Sequence, residues 1–525
     1  MEILSTAQMR AIESEAMTSG AITGPQLMER AGAAVAGQIR LAWPKAGRAT
    51  VLCGPGNNGG DGYVIALLLR RAGWRVRVLG CDGDPGPDAA EMRRRWRQAG
   101  PVLPLTPQAF LAAPPGDICV DAVFGTGLTR PPAREIAQVL ALLPGEDVVA
   151  VDCPSGLCLD SGVLLGRPRA GDAGMPRARL TVAFDSPKPG HLLGLGPAVC
   201  GRLVIADIGL GPWRQTAARG GPEDRPDGRP GLVAIAQPAT APRDGAARSG
   251  LRALLAKHSP AHKFSHGHAL ILAGGVGAGG AARLAARAAL RIGAGLVTIG
   301  PPAEALAEHA GPPDALMRRA VDAAPDLSAM LGDARLRAIC IGPGCGTRRA
   351  AALLPAALGS GRPCVLDADA LTALAADADL AAGLHAACVL TPHAGEFARL
   401  FPDLAARLDA VPARGPAVSR LDVAREAAAR CGAVVLLKGP DSVIAVPDGR
   451  AMIHSAVDVP WLATAGSGDS LAGLIAGAMA RGVAPCDAAG LAVILHAMAA
   501  RSIGAGLIAD DIPDRLPAIL RGIGA

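Results

Sequence analysis

Two glycine-rich stretches set acidic side chains where chemistry is possible. Thr464-Ala465-Gly466-Ser467-Gly468-Asp469 runs straight into the apolar stretch Ser470 to Arg481. Glycines let a ligand approach the main chain closely, and the free N–H groups of a helix start favour an anion such as phosphate. Asp469 then enters the first turn, where a carboxylate can take a proton from a substrate hydroxyl as that hydroxyl attacks phosphorus. Steadying the helix N-terminus is the other role open to it. Leu437-Lys438-Gly439-Pro440-Asp441-Ser442 puts a cation just past an apolar run, suited to nucleotide phosphates. Thr391-Pro392-His393-Ala394-Gly395-Glu396 brings His393 and Glu396 within reach of one site, with a structural histidine as the alternative. Asp367-Ala368-Asp369-Ala370 suits metal or substrate, and Ile341-Gly342-Pro343-Gly344-Cys345-Gly346 admits a close ligand.

The earlier stretch, Gly54-Pro55-Gly56-Asn57-Asn58-Gly59-Gly60-Asp61-Gly62, follows an apolar run ending at Cys53 and leads into Tyr63 to Arg71. It satisfies the dinucleotide-binding pattern, with Asp82 near the position of a ribose-binding acid, although that pattern alone is weak. Its polarity is distinctive: Asn57, Asn58 and Asp61 crowd the turn with oxygens that suit a cation or a polar ligand. Asp121, in Asp121-Ala122-Val123-Phe124-Gly125-Thr126-Gly127, and Asp152 with Ser155, in Asp152-Cys153-Pro154-Ser155-Gly156, end later apolar runs. Open parallel sheets bind ligands at that edge; capping a helix or turn is the alternative for each. Lys188 follows another run and either faces the same crevice or lies in solvent.

The elements that must position these residues alternate. Thr50 to Cys53, Arg75 to Leu79, Ile118 to Val120, Val148 to Val151, Leu180 to Phe184 and Leu203 to Ala206 are short apolar runs between Ala-, Leu- and Arg-rich helical stretches. Such alternation predicts an α/β fold with a parallel sheet covered on both faces. A capping box at Ser5 and a helical period from Gly24 to Leu41 precede it. Residues 211 to 257 turn Gly-, Pro- and Arg-rich and read as a linker. A second series follows His258, with strands expected at Ala269 to Ala273, Leu296 to Ile299, Ala338 to Ile341, Cys364 to Asp367, Ala387 to Leu390 and Val434 to Leu437. Long Ala-rich helices close it, Ser470 to Arg481 and Ala488 to Ile503. The expected domains are therefore 1–210 and 258–525.

At 525 residues and 50% hydrophobic content the chain excludes a disordered protein and calls for at least two domains. With 2% aromatics it makes a poor single-strand nucleic-acid platform, and a net charge of +6 spread along the chain implies no polyanion partner. Lys45, Lys188, Lys257, Lys263 and Lys438 are the only lysines, so each invites inspection. The twelve cysteines stand singly, without a Cys-x-x-Cys pair, as in a reduced cytoplasmic protein. Apolar stretches are broken well before ~20 residues, and no signal peptide, membrane span or membrane partner is expected.

The motifs over residues 1 to about 210 resemble the NAD(P)H-hydrate epimerase family, in order and in spacing. The resemblance implies a Rossmann-like fold and a potassium ion held by oxygens of Asn58, Asp121 and Ser155. It implies hydrated nicotinamide nucleotide along Asn57, Asn58, Gly59, Gly60 and Asp61, along Gly125, Thr126, Gly127, Leu128, Thr129, Arg130 and Pro131, and at Asp152. Asp152 becomes the leading catalytic acid/base. Many relatives carry an acidic residue in the loop that here reads Thr129-Arg130-Pro131-Pro132. Residues 258 to 525 resemble ADP-dependent NAD(P)H-hydrate dehydratases of the ribokinase-like superfamily, with His262-Lys263, the Gly274 to Ala281 loop and Ile292 to Leu296 in support. That resemblance implies hydrate contacts from Ala281, Gly344, Gly346, His393 and Asp469, with Asp469 catalytic, and nucleotide contacts from Lys438, Gly439, Pro440, Asp441, Ser442 and Gly468. ADP would be the co-substrate and magnesium the accompanying ion. Relatives often have Tyr in the first glycine loop, where this chain has Ala278 and Gly279.

Together the halves resemble the bifunctional NAD(P)H-hydrate repair enzymes, acting on NADHX and NADPHX, and a homo-oligomer is expected. A ribokinase-type small-molecule kinase fused to a nucleotide-binding domain is the alternative, and a non-catalytic first domain a third reading.

Overall fold

The computed structural model describes residues 2–83, 85–114, 116–166, 177–214, 233–235, 245–257 and 260–525. The chain divides into two compact units: Met1–Val233 with Asp409–Ser419, and Ala234–Leu408 with Arg420–Ala525.

In the first unit, strands run in the order Val102–Pro104, Arg75–Gly80, Arg48–Cys53, Ile118–Ala122, Val148–Val151, Leu180–Phe184 and Arg202–Ala206, all parallel. Every residue of Ile118–Ala122 and Leu180–Phe184 is buried, as continuous apolar runs between two helical layers require. The order reverses between Arg48–Cys53 and Ile118–Ala122, and the crevice beyond their carboxyl ends is where such sheets take ligands. Helix Thr6–Thr18 opens with a reciprocal cap, Gln8 N donating to Ser5 Oγ at 3.2 Å and Ser5 N to Gln8 Oε1 at 2.8 Å. Thr23 and Gln26 repeat the device at Gly24–Ala42.

Helix Asn57–Arg71 begins six residues earlier than the apolar run from Tyr63 suggests, so Asn57 to Gly62 form its first turns. Close packing explains the glycines. A Cβ on Gly62 would meet Cys53 Sγ at 2.8 Å and Ala122 Cβ at 2.9 Å, so only glycine lets this helix lie so near its sheet.

In the second unit the parallel order is Val434–Leu437, Cys388–Leu390, Cys364–Leu366, Leu336–Ile341, His268–Leu272, Leu296–Gly300 and Met317–Arg318. A hairpin, Asp441–Ala445 and Ala451–Ser455, adds antiparallel strands beside Val434–Leu437. Here the reversal falls between Leu336–Ile341 and His268–Leu272. Helix Ser467–Ala480 lies nearly backbone to backbone on Gly279–Arg291, since a Cβ on Gly473 would sit 2.0 Å from Ala285 O.

Several expectations are corrected. Val102–Pro104 and Met317–Arg318, three and two residues long, and the hairpin are strands beyond those expected. Helix Gly245–Leu255 lies inside the expected linker, 211–257, and much of the rest of that linker falls outside the described residues. Asp409–Ser419 joins the first unit although its place in sequence suggests the second domain, 258–525. Helix Pro485–Ile503, interrupted by Asp487, Gly490 and Arg501 as expected, is long and apolar enough to cross a membrane by length and composition, and 67% of that window is buried inside the protein.

Candidate active sites

A cavity of about 1330 Å³ opens at the reversal point of the first unit. Asn57, Asn58 and Asp61 from the helix start, Gly125 to Pro131 from the loop after Ile118–Ala122, and Asp152 all line it. Gly59 and Gly60 do not. They are buried, and a Cβ on them would meet Gly54 O at 2.1 Å and Met28 Sδ at 2.3 Å, so they serve the close fit of helix to surroundings.

Asp152 takes a left-handed backbone, φ 65°. Its carboxylate accepts from Thr126 N at 2.8 Å, from the Thr126 hydroxyl, and from Lys188 Nζ at 3.2 Å. Lys188 is fully buried and also donates to Phe184 O at 2.9 Å, which settles its position: it reaches the crevice side and not solvent. Burial opposes charge on Asp152, but Lys188 and Thr126 outweigh it and hold the carboxyl below the ordinary carboxylate range. His191 Nδ1 accepts from Lys188 N at 3.0 Å, which leaves Nε2 to donate to Asp152 O at 2.8 Å. Burial first, then Lys188, lower His191 to about 4, so the ring is neutral and positions Asp152.

Glu13, on Thr6–Thr18, lines the same cavity, and no sequence motif announced it. Burial raises its carboxyl to about 7, Lys188 partly offsetting. Burial also raises Asp61 well above the ordinary carboxylate range, with Asp152 and Glu13 adding to it. One ionised carboxylate thus faces two that tend to keep their protons, the split an acid/base pair needs. Arg10, also unannounced, donates to Thr126 O at 2.9 Å.

Ser155 Oγ donates to Asp121 Oδ1 at 2.6 Å and Ser155 N to Oδ2 at 2.8 Å. Asn58 Nδ2 donates to Val151 O at 3.3 Å, and its Oδ1 is turned towards Gly125. Burial raises Asp121, whose donors are all neutral. A buried carboxylate without a cationic side chain, next to hydroxyl and amide oxygens, suits a hard cation. No cluster of three or more His, Cys, Asp or Glu fit for a metal occurs among the described residues.

In the second unit Asp469 stands in the first turn of Ser467–Ala480, behind Gly466 at φ 84°. Lys438 Nζ donates to Asp367 Oδ1 at 2.7 Å, approaches Glu396 Oε2 at 3.8 Å, and lies 3.4 Å from where a Cβ on Gly468 would be. Three strand ends therefore meet at one helix start. Burial, then Asp367, raise Asp469 to about 6, with Lys438 opposing and Asp369 and Glu396 adding. Gly344 packs on Ala281, and Gly346 N donates to Asp369 Oδ2 at 2.9 Å.

His393 is the N-cap of Ala394–Leu400: Nδ1 accepts from Gly395 N at 3.0 Å, and His393 N donates to Glu396 Oε2 at 2.8 Å. Its ring is half exposed, with Nε2 3.5 Å from Glu396 Oε1. Three residues expected at the nucleotide also shape the turn that carries Lys438. Asp441 pairs with Arg420 at 3.2 Å, the Ser442 hydroxyl donates to Gly439 O at 2.9 Å, and Pro440 O accepts from Ala456 N at 2.7 Å.

The sequence family described as YjeF-related protein N-terminus matches residues 24–190, and the family NAD(P)H-hydrate dehydratase matches residues 269–519. A bifunctional NAD(P)H-hydrate repair enzyme of Coxiella burnetii is 34% identical, covering 96% of both chains. Its namesake in Escherichia coli is 32% identical, covering 97% of this chain and 92% of that one. A solved ADP/ATP-dependent NAD(P)H-hydrate dehydratase from Bacillus subtilis is 28% identical, covers 55% of this chain and 99% of its own, and superposes with a TM-score of 0.44.

Proposed function

The chain belongs to the bifunctional NAD(P)H-hydrate repair enzymes, and from that membership we propose how its two sites divide the reaction. The first unit interconverts the R and S hydrates of NADH and NADPH. The second dehydrates the S hydrate with ADP, yielding NAD(P)H, AMP and phosphate. One observation carries the reading: each sheet reversal has its own carboxylate in a different protonation setting, Asp152 ionised against Lys188 and Asp469 poised near neutrality beside Lys438.

In the second unit Asp469 takes the proton of the hydrate hydroxyl as its oxygen attacks the terminal phosphorus of ADP, and AMP leaves. Hydroxide is a poor leaving group and phosphate a better one. The ring nitrogen lone pair then expels phosphate, and loss of a ring proton restores the dihydropyridine. Lys438 and the N–H groups at Gly468 face the phosphates. A magnesium ion would be held mainly by those phosphates together with one or both of Asp367 and Asp369. In the first unit Asp152 works as base, with Glu13 or Asp61 as the proton-bearing partner, because their carboxyls are raised where Asp152's is lowered. Asn58, Asp121 and Ser155 would hold a potassium ion, whose charge offsets buried Asp121 and steadies the neighbouring loops. We place the protein in a reducing compartment such as the cytoplasm on its cysteine usage, twelve cysteines standing singly in sequence.

Separately purified R and S hydrates, with and without ADP, test the whole reading. S hydrate with ADP regains the reduced-nicotinamide absorbance, and R hydrate alone becomes S. A stable phosphorylated product without that recovery would establish the kinase alternative instead.

A further inference from the structure

Asp409–Ser419 lies in sequence between Pro402–Asp409 and Arg420–Cys431, yet it belongs to the first unit. Specific contacts fix it there. Gly166 N donates to Pro412 O at 2.5 Å and Gly415 N to Thr129 O at 3.1 Å. Ala417 is buried with Leu128, Cys158, Val163 and Leu165. A Cβ on Gly415 would lie 3.2 Å from Leu128 O, so the segment presses directly on the loop that lines the cavity.

Arg414 and Gly415 thereby become part of the cavity wall, together with Arg130. Arg414 and Arg130 are both exposed, and no hydrogen bond or ion pair among the described residues engages either guanidinium. The third arginine of the lining, Arg10, is tied to Thr126 O. Of the cavity's acids, Asp152 is paired inside with Lys188, while Glu13 and Asp61 tend to keep their protons. The wall is therefore left with two free, planar, always-charged donors, the groups that grip phosphate oxygens in pairs.

We propose that Arg414, carried into the first unit by a segment from between two helices of the second, binds the phosphate-bearing part of the dinucleotide together with Arg130, and so sets the affinity of the R/S interconversion. This rests on the first unit taking a hydrated dinucleotide, as argued above. Arg414 contacts phosphate and not the hydrated ring, so its loss raises KM and spares kcat.

The test uses the full chain, R hydrate and no ADP, so that only interconversion is measured. Arg414→Ala raises KM about tenfold with kcat within about twofold, and Arg414→Lys recovers part of the loss. Inorganic diphosphate competes with R hydrate in the wild type, and its inhibition constant weakens about tenfold in Arg414→Ala. Val411→Ala, exposed on the same segment and outside the lining, leaves KM unchanged. Unchanged KM and diphosphate inhibition in Arg414→Ala overturn the proposal, as does a loss confined to kcat. Failure of the wild type to turn over R hydrate at all would instead sink the reading of the first unit.

Discussion

Asp152 and Asp469 meet opposite electrostatic settings, and the difference assigns their tasks. Asp152 has a buried ammonium at 3.2 Å and two donors from Thr126, so it stays ionised and is worth little as a proton donor. At Asp469 burial, and after it Asp367 with Asp369 and Glu396, outweigh Lys438 and bring the carboxyl to about 6, close to working pH. If Asp469 is the base, kcat/KM for dehydration of S hydrate rises with pH through about 6 and levels above it. Asp469→Asn abolishes the rise and slows the reaction by ~10²–10⁴. The same shift has a stability side. A carboxyl raised in the folded state binds more protons there than in the unfolded chain between about pH 4 and 6, so stability falls as pH climbs through that window and the loss persists at pH 7. Asp469→Asn is accordingly more stable than the parent at pH 7, by on the order of 1 kcal/mol in urea unfolding. A pH–rate profile unmoved by the substitution would remove Asp469 from the proton transfer.

Helix starts deliver Asp61 and Asp469, and small residues set where those starts lie. Gly473 is six residues from a turn boundary at Ser467, yet its backbone contact with Ala285 fixes the depth at which Asp469 is held. Neither side of that contact is a flexible side chain, so neither can give way cheaply. Gly473→Ala therefore costs ~1–3 kcal/mol of stability and lowers dehydration of S hydrate at a temperature where the variant is still folded; an unaltered rate would show that helix depth does not govern the site. Elements of this kind are readable in sequence to different degrees. Val148–Val151 and Leu180–Phe184 can be read to the residue because strands covered on both faces are uninterrupted apolar runs. Val102–Pro104 cannot, being three residues at a sheet edge and ending in proline. Asn57 to Gly62 read as a loop because three glycines erase helix propensity, which packing against Cys53 and Ala122 then restores. At the sites, glycine turns and strand-end acids were legible as local patterns. Glu13 and Arg414 were not, because what brings them to the cavity is tertiary packing of a plain amphipathic helix and of a segment remote in sequence.

One chain carrying both sites matters because the hydrated carbon is a stereocentre. A dehydrating site shaped for one configuration strands the other, so a mixture of epimers is repaired fully only if inversion is supplied as well. The two carboxylates make this separable in the full-length protein. Given an epimer mixture and ADP, the wild type restores all of the reduced-nicotinamide absorbance. Asp152→Asn restores quickly only the share present as S, and the remainder follows ~10²–10⁴ slower than in the wild type, unless spontaneous inversion overtakes it. Asp469→Asn restores almost none, although chromatography shows R and S still interconverting. Mixing the two variants in one tube brings back complete recovery, since the hydrate is a small molecule free to leave one protein and enter another. Recovery in the mixture that stops at the S share would mean that the hydrate passes between sites without release, and R consumption by Asp152→Asn at the wild-type rate would reduce the first unit to a binding module.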